Sequence, residues 1–179
     1  MSPILRKFVL TAHITFSVGW IGAVVAFLIF VITAMMRTDI QILRVAWIAM
    51  GLIGQLVIIP FALGSLFTGL IMALGTKWGL FKHYWVLISL ALTLLAVIIL
   101  LENMQTVSFF AGMATETENA DVSMMQAALS SELLHAGLGL LLLLVIQGLN
   151  VYKPRGITPY GWRKQQEQRI VRPSALEEM

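Results

Sequence analysis

The 179-residue chain is 59% hydrophobic and 12% charged, with a mean hydropathy of +0.88, whereas a soluble domain carries about twice that share of charge. The complete lack of cysteine excludes disulfides, thiolate metal sites, iron–sulfur clusters and covalently attached haem. The net charge of +3 is not gathered into a basic stripe with interleaved aromatics, so no nucleic-acid partner is expected.

Apolar runs of about twenty residues or more are long enough to cross a bilayer as helix, and four are legible. The first covers about 4–34. Arg6 and Lys7 precede it as in a secretory signal, but the run is much longer than a signal core and reads as an uncleaved span. The second covers about 45–75, with Pro60 inside it, where a missing N–H is expected to kink the helix. The third covers about 80–101. An acidic stretch with Glu102, Glu116, Glu118, Asp121 and Glu132 follows, and Asp121 can cap a helix that leads into the fourth span, about 131–151. Residues 1–152 thus form one transmembrane domain, an all-α, integral membrane four-helix bundle in a lipid bilayer. Residues 153–179 form a basic tail too short for a second domain, and no internal repeat is present.

Charge sets the expected orientation. Arg6, Lys7, Lys77, Lys82, Lys153, Arg155, Arg163, Lys164, Arg169 and Arg172 fall on one side of the spans, and only Arg37 and Arg44 on the other. The positive-inside rule puts both termini in the cytoplasm. Trp78, Trp85 and Trp162 cluster toward the basic side and Trp47 toward the opposite one, as interface belts do.

Within this frame His13 lies in the cytoplasmic third of span one, in the segment LTAHITFSVGWIGAV, and His83 enters span three at a similar depth. His135 enters span four from the outer side. Ser17 and Trp20 continue the face of His13, while Thr11, Thr15, Gly19 and Gly22 line the neighbouring face. Small and hydroxylated residues of this kind let membrane helices approach closely. Gly51, Gln55, Ala62, Ser65 and Gly69 form a comparable stripe on span two, as do Trp85, Ser89, Thr93 and Ala96 on span three. Gly137, Gly139, Gln147, Gly148 and Asn150 do so on span four. These stripes are expected to turn inward, and a homodimer is the expected assembly.

Three readings of the imidazoles are open. Each can hydrogen-bond a hydroxyl or a backbone carbonyl. His13 and His83 can ligate a haem b, which needs no cysteine, with Ser17 and Trp20 beside it and His135 as a second or structural site. His135, Glu132 and Glu102 can hold a metal ion such as copper near the outer face. The ten methionines, including Met35–Met36 and Met124–Met125, read as packing rather than copper ligands. No hydrolytic triad, phosphate loop or paired intramembrane carboxylates is visible.

LTAHITFSVGWIGAV, GTKWGLFKHYWVL and VYKPRGITPYGWRKQ together resemble a bacterial group of predicted integral membrane proteins of unknown function, over nearly the whole chain. The tail motif Tyr152-Lys153-Pro154-Arg155-Gly156 with Tyr160-Gly161-Trp162-Arg163-Lys164 is its strongest part. More loosely, AHITFSVGWIGA is similar to the first-span pattern of copper-resistance D-type proteins and the related membrane protoporphyrinogen oxidase. That likeness implies haem, porphyrin or copper, and only His13, Trp20 and Gly22 carry across. The oxidase pattern has a functional lysine in a later span, whereas here Lys82 lies at a span edge. Asn103 stands where the closer group has a histidine, so an outer haem shared with His135 is not expected. The expectation is a membrane b-type haem protein for electron transfer or porphyrin-linked redox chemistry, with a membrane redox partner or quinone. The alternative is a non-enzymatic accessory or small-solute or copper transport protein, with copper or no cofactor.

Overall fold

The computed structural model describes residues 1–75, 79–116 and 121–167. Its long helices are α1 (Pro3–Met36), α2 (Ile40–Ile53), α3 (Ile59–Gly75), α4 (Tyr84–Thr115) and α5 (Val122–Tyr152). A π-helical turn, Gly54–Ile58, joins α2 to α3, so that Ile40–Gly75 is one continuous span. Four helices are therefore long and apolar enough to cross a membrane, and the protein is an all-α multi-pass membrane bundle. Helix α1 packs on α3 and α5, and α4 packs on α2, α3 and α5. Among the described residues no strand occurs, only an isolated bridge between His83 and Ile157.

The π turn accounts for Pro60. A proline cannot donate to the carbonyl four residues back, and its ring crowds that carbonyl. Here the ladder widens just before it: the Ile59 N–H reaches the Gly54 carbonyl, one residue further than in an α-helix. The expected disturbance at Pro60 is thus a local widening of the helix.

The helices outrun the hydrophobic segments that announced them. Their lengths of 31 to 36 residues correspond to about 46–54 Å, against a hydrocarbon core of about 30 Å. Helix α4 was expected to end near 101 but continues to Thr115, because its polar continuation is amphipathic. Met104, Val107, Phe110 and Ala114 are buried at helical spacing, while Gln105, Thr106 and Phe109 are exposed. That stripe meets α2, where Trp47 is fully buried with its ring 4.7 Å from that of Phe110. Trp47 is therefore a core residue and not a member of an interface belt. Gly51 lies against the same wall, where an added Cβ would stand 2.7 Å from the Ala111 Cβ. By contrast, open space surrounds Gly22, Gly137, Gly139 and Gly148, so these glycines are not close-packing points within the chain.

Helix α5 begins at Val122, with Asp121 as its cap, accepting from the Met124 N–H at 3.0 Å and the Ser123 hydroxyl at 2.6 Å. These two bonds, the Ser123 one larger, hold the Asp121 carboxyl below the usual carboxylate range. A depressed carboxylate contributes stability that is complete at neutral pH and fades as pH falls through its folded value. Accordingly, the protection factor of the Met124 amide is expected to fall as pH falls through the folded-state titration of Asp121, and Asp121→Ala to remove that pH dependence.

At the other end Met1 meets the end of α3. A Cβ on Gly75 would touch the Met1 thioether at 3.3 Å, and the tail folds back onto the connection before α4. The Thr158 N–H donates to the Lys82 carbonyl at 3.0 Å, its hydroxyl donates to the Phe81 carbonyl, and the Tyr84 N–H donates to the Gly156 carbonyl at 3.3 Å. Thr158 also accepts from the Gly161 N–H at 3.1 Å, capping a short helical stretch, 159–167, with Pro159 in its first turn. Gly161 is required by proximity, since a Cβ there would press on the Lys82 carbonyl. The tail motif is thus a clasp that ties the exit of α5 to the entry of α4. Lys77, Trp78, Glu118, Arg169 and Arg172 lie outside the described residues.

Candidate functional site

His13 is placed by the packing of α1 on α3. Its Nδ1 lies 3.1 Å from the Ser65 carbonyl oxygen and 3.1 Å from the Thr68 hydroxyl. The Thr68 hydroxyl spends its proton on the Gly64 carbonyl, at 2.6 Å, so it faces His13 as an acceptor. Two acceptors require a donor between them, and the network therefore puts the proton on Nδ1. In the neutral ring Nε2 is then a bare lone pair, and no hydrogen bond to it is recorded among the described residues. Metal-binding histidines are held in this way, one ring nitrogen anchored by a carbonyl or hydroxyl and the other presented.

Space for the ring comes from Gly69, whose hypothetical Cβ would lie 3.1 Å from His13 Cε1. Gly69→Val is expected to push the imidazole off its two anchors while leaving the helices assembled. Loss of the Nδ1–H resonance of His13, with helical circular dichroism retained, checks this.

Beside His13 opens a chamber of about 420 Å³ lined by four helices. Helix α1 contributes His13 and Ser17; α3 contributes Ser65 and Gly69. Helix α4 contributes Ser89 and Thr93, and α5 contributes Gln147 and Asn150. Ser17 and Ser65 share a hydrogen bond of 2.8 Å across α1 and α3. A cavity of about 30 Å³ continues from the chamber past Ser17 and Thr93 to Trp20, which is itself buried in the core. The sequence thus foresaw His13, Ser17 and Trp20 near one another. It also drew attention to Ser65, Gly69, Ser89, Thr93, Gln147 and Asn150 as inward-facing, though not as the walls of one cavity.

His83 stands elsewhere. It precedes α4 as its N-terminal cap residue, pairs with Ile157 in the clasp, and has its ring 6.4 Å from that of Trp85. The chamber lining includes Trp85 but not His83, so the chamber holds one imidazole where two were expected from depth alone.

The outer residues differ in burial. His135 is exposed and its Nδ1 meets the Ser131 carbonyl of its own helix at 2.8 Å and the Ser131 hydroxyl at 3.3 Å. Glu132 is 1% exposed and accepts from the Asn103 amide at 2.9 Å, whereas Glu102 is exposed. No group of three or more histidine, aspartate or glutamate side chains suited to a metal ion occurs among the described residues. Helix spacing identified the patch but not its division: Glu132 faces the bundle and His135, three positions on, faces out.

No family model, curated protein or solved structure matches the chain.

Proposed function

We propose that the protein is a membrane redox-cofactor protein that takes a ring compound of the haem b class into the His13 chamber, for electron transfer or porphyrin-linked redox chemistry. The observation that carries this reading is the His13 ring, with Nδ1 anchored on α3 and Nε2 left to meet a ligand at a chamber wall. His13 is the one imidazole that would hold the group, because His83 is outside the lining. When bound, such a group supplies one-electron chemistry at its iron. The protein's own part is to hold Nε2 in register through Ser65 and Thr68, and to enclose the ring between α1, α3, α4 and α5. A chamber of this size lies within the range of about 300–1,000 Å³ of ordinary ligand pockets. In this reading the protein sits in a bacterial plasma membrane with both termini, and therefore the chamber, on the cytoplasmic side, as the basic residues imply.

A second reading, a non-enzymatic carrier of a small neutral solute, is favoured by the hydroxyl and carboxamide groups of Ser89, Thr93, Gln147 and Asn150. The two part on the visible spectrum of detergent-purified protein titrated with haemin. A saturable Soret band that depends on His13 supports the first; a preparation that takes up no haem overturns the haem assignment.

A further inference from the structure

Ser89 is the chamber's least explained residue. It is only 6% exposed, yet among the described residues its hydroxyl oxygen has no hydrogen-bond partner, and it lines the chamber from α4. A buried hydroxyl without a partner calls for a missing one, since such groups are almost always satisfied in folded proteins. Thr93, one turn on, gives its proton to the Ser89 carbonyl at 2.7 Å and not to its hydroxyl.

Apart from the exposed Lys153, the polar lining is uncharged: His13 offers a lone pair, Ser89 a hydroxyl, and Gln147 and Asn150 carboxamides, and among the described residues no carboxylate lines the chamber. A matching head group is neutral, with at least one O–H to donate to Nε2 and a further oxygen to pair with Ser89. The rim between α1 and α5 adds the second requirement. Leu10, Ile14 and Val151 line the chamber while being 42%, 51% and 64% exposed, on helices whose outer faces meet lipid. The chamber therefore opens sideways toward the acyl chains, and its ligand is apolar behind the head.

We infer that the His13–Ser89 chamber binds the head group of a lipid-soluble quinol, with one ring hydroxyl donating to His13 Nε2, the opposite oxygen paired with Ser89, and the tail leaving between α1 and α5. The inference rests on the chamber being the ligand site proposed above; quinol and haem would contend for the one Nε2 lone pair, so the quinol occupies the chamber in protein free of haem. The His13 lone pair distinguishes a quinol from its quinone, which has no proton to donate.

The test uses the full chain in lipid nanodiscs under anaerobic conditions, with decylubiquinol and decylubiquinone as probes and equilibrium dialysis of each probe as readout. Decylubiquinol is expected to bind at least tenfold more tightly than decylubiquinone. His13→Asn keeps an N–H for Ser65 but deletes the Nε2 lone pair, and should abolish that preference. Ser89→Ala should weaken both probes severalfold. Helical circular dichroism and a monodisperse elution profile establish that both variants are folded. Equal affinity for the two probes, or a quinol preference that survives His13→Asn, overturns the inference. Protein that takes up haemin but ignores decylubiquinol overturns the quinol and leaves the chamber as a ligand site. Binding of neither compound overturns both.

Discussion

His13→Asn will strip the chamber of its ring ligand while leaving the bundle assembled. Removing a group that merely orients a metal-binding histidine costs about 10–100-fold in affinity. Removing the ligating nitrogen itself should cost more than the upper end of that range. Thr68→Val, which deletes one anchor of Nδ1 but spares Nε2, should fall inside it. Binding isotherms of the two variants against the parent protein measure both effects. A purely adhesive His13 behaves differently. As an interhelical hydrogen bond in a membrane it would be worth about 0.6 kcal/mol, visible as a small drop in unfolding midpoint with no change in ligand uptake.

The largest effect on stability is expected at Trp47. Its side chain is fully buried, stacks on Phe110 and belongs to the same core as Met50, Val107, Met125 and Leu129. Truncating a buried aromatic to alanine costs about 3–5 kcal/mol in water-soluble cores. Trp47→Ala should reach only the lower part of that range if the unfolded reference stays in lipid, because the transfer term then largely vanishes and lost packing remains. Trp47→Phe should recover most of the loss, since the indole N–H has no recorded partner to forfeit. Unfolding in a graded detergent series compares the three proteins.

The contrast between these residues explains what the sequence made legible. Hydropathy announces a span wherever lipid demands apolar residues all round, so the four crossing segments and their order were readable. It is silent where a helix leaves the hydrocarbon and buries a single face, which is why α4 reaches Thr115 and why Trp47 is a core residue. The Asp121 cap was readable because a cap depends on neighbours in sequence. Pairing His13 with His83 relied on depth alone, and depth does not determine which way a residue at a helix start is drawn. The clasp decides that for His83 through Gly156, Ile157 and Thr158, contacts more than seventy positions apart that no local pattern encodes. For His13, Gly69, which admits its ring, and Ser65, whose carbonyl anchors it, were visible as small residues on span two, whereas the anchoring hydroxyl of Thr68 was not singled out. Only the packing of α1 on α3 gives them their roles.

The central claim is that His13 Nε2 serves a ligand and not merely the contact between two helices. The most direct measurement is the near-ultraviolet and visible spectrum of an organic extract of detergent-purified protein, taken for the parent chain and His13→Asn after both have been saturated with haemin and decylubiquinol and washed. The account predicts a stoichiometric ring compound in the parent extract and its loss from the variant. Equal retention by the two proteins, or none by either, would contradict it.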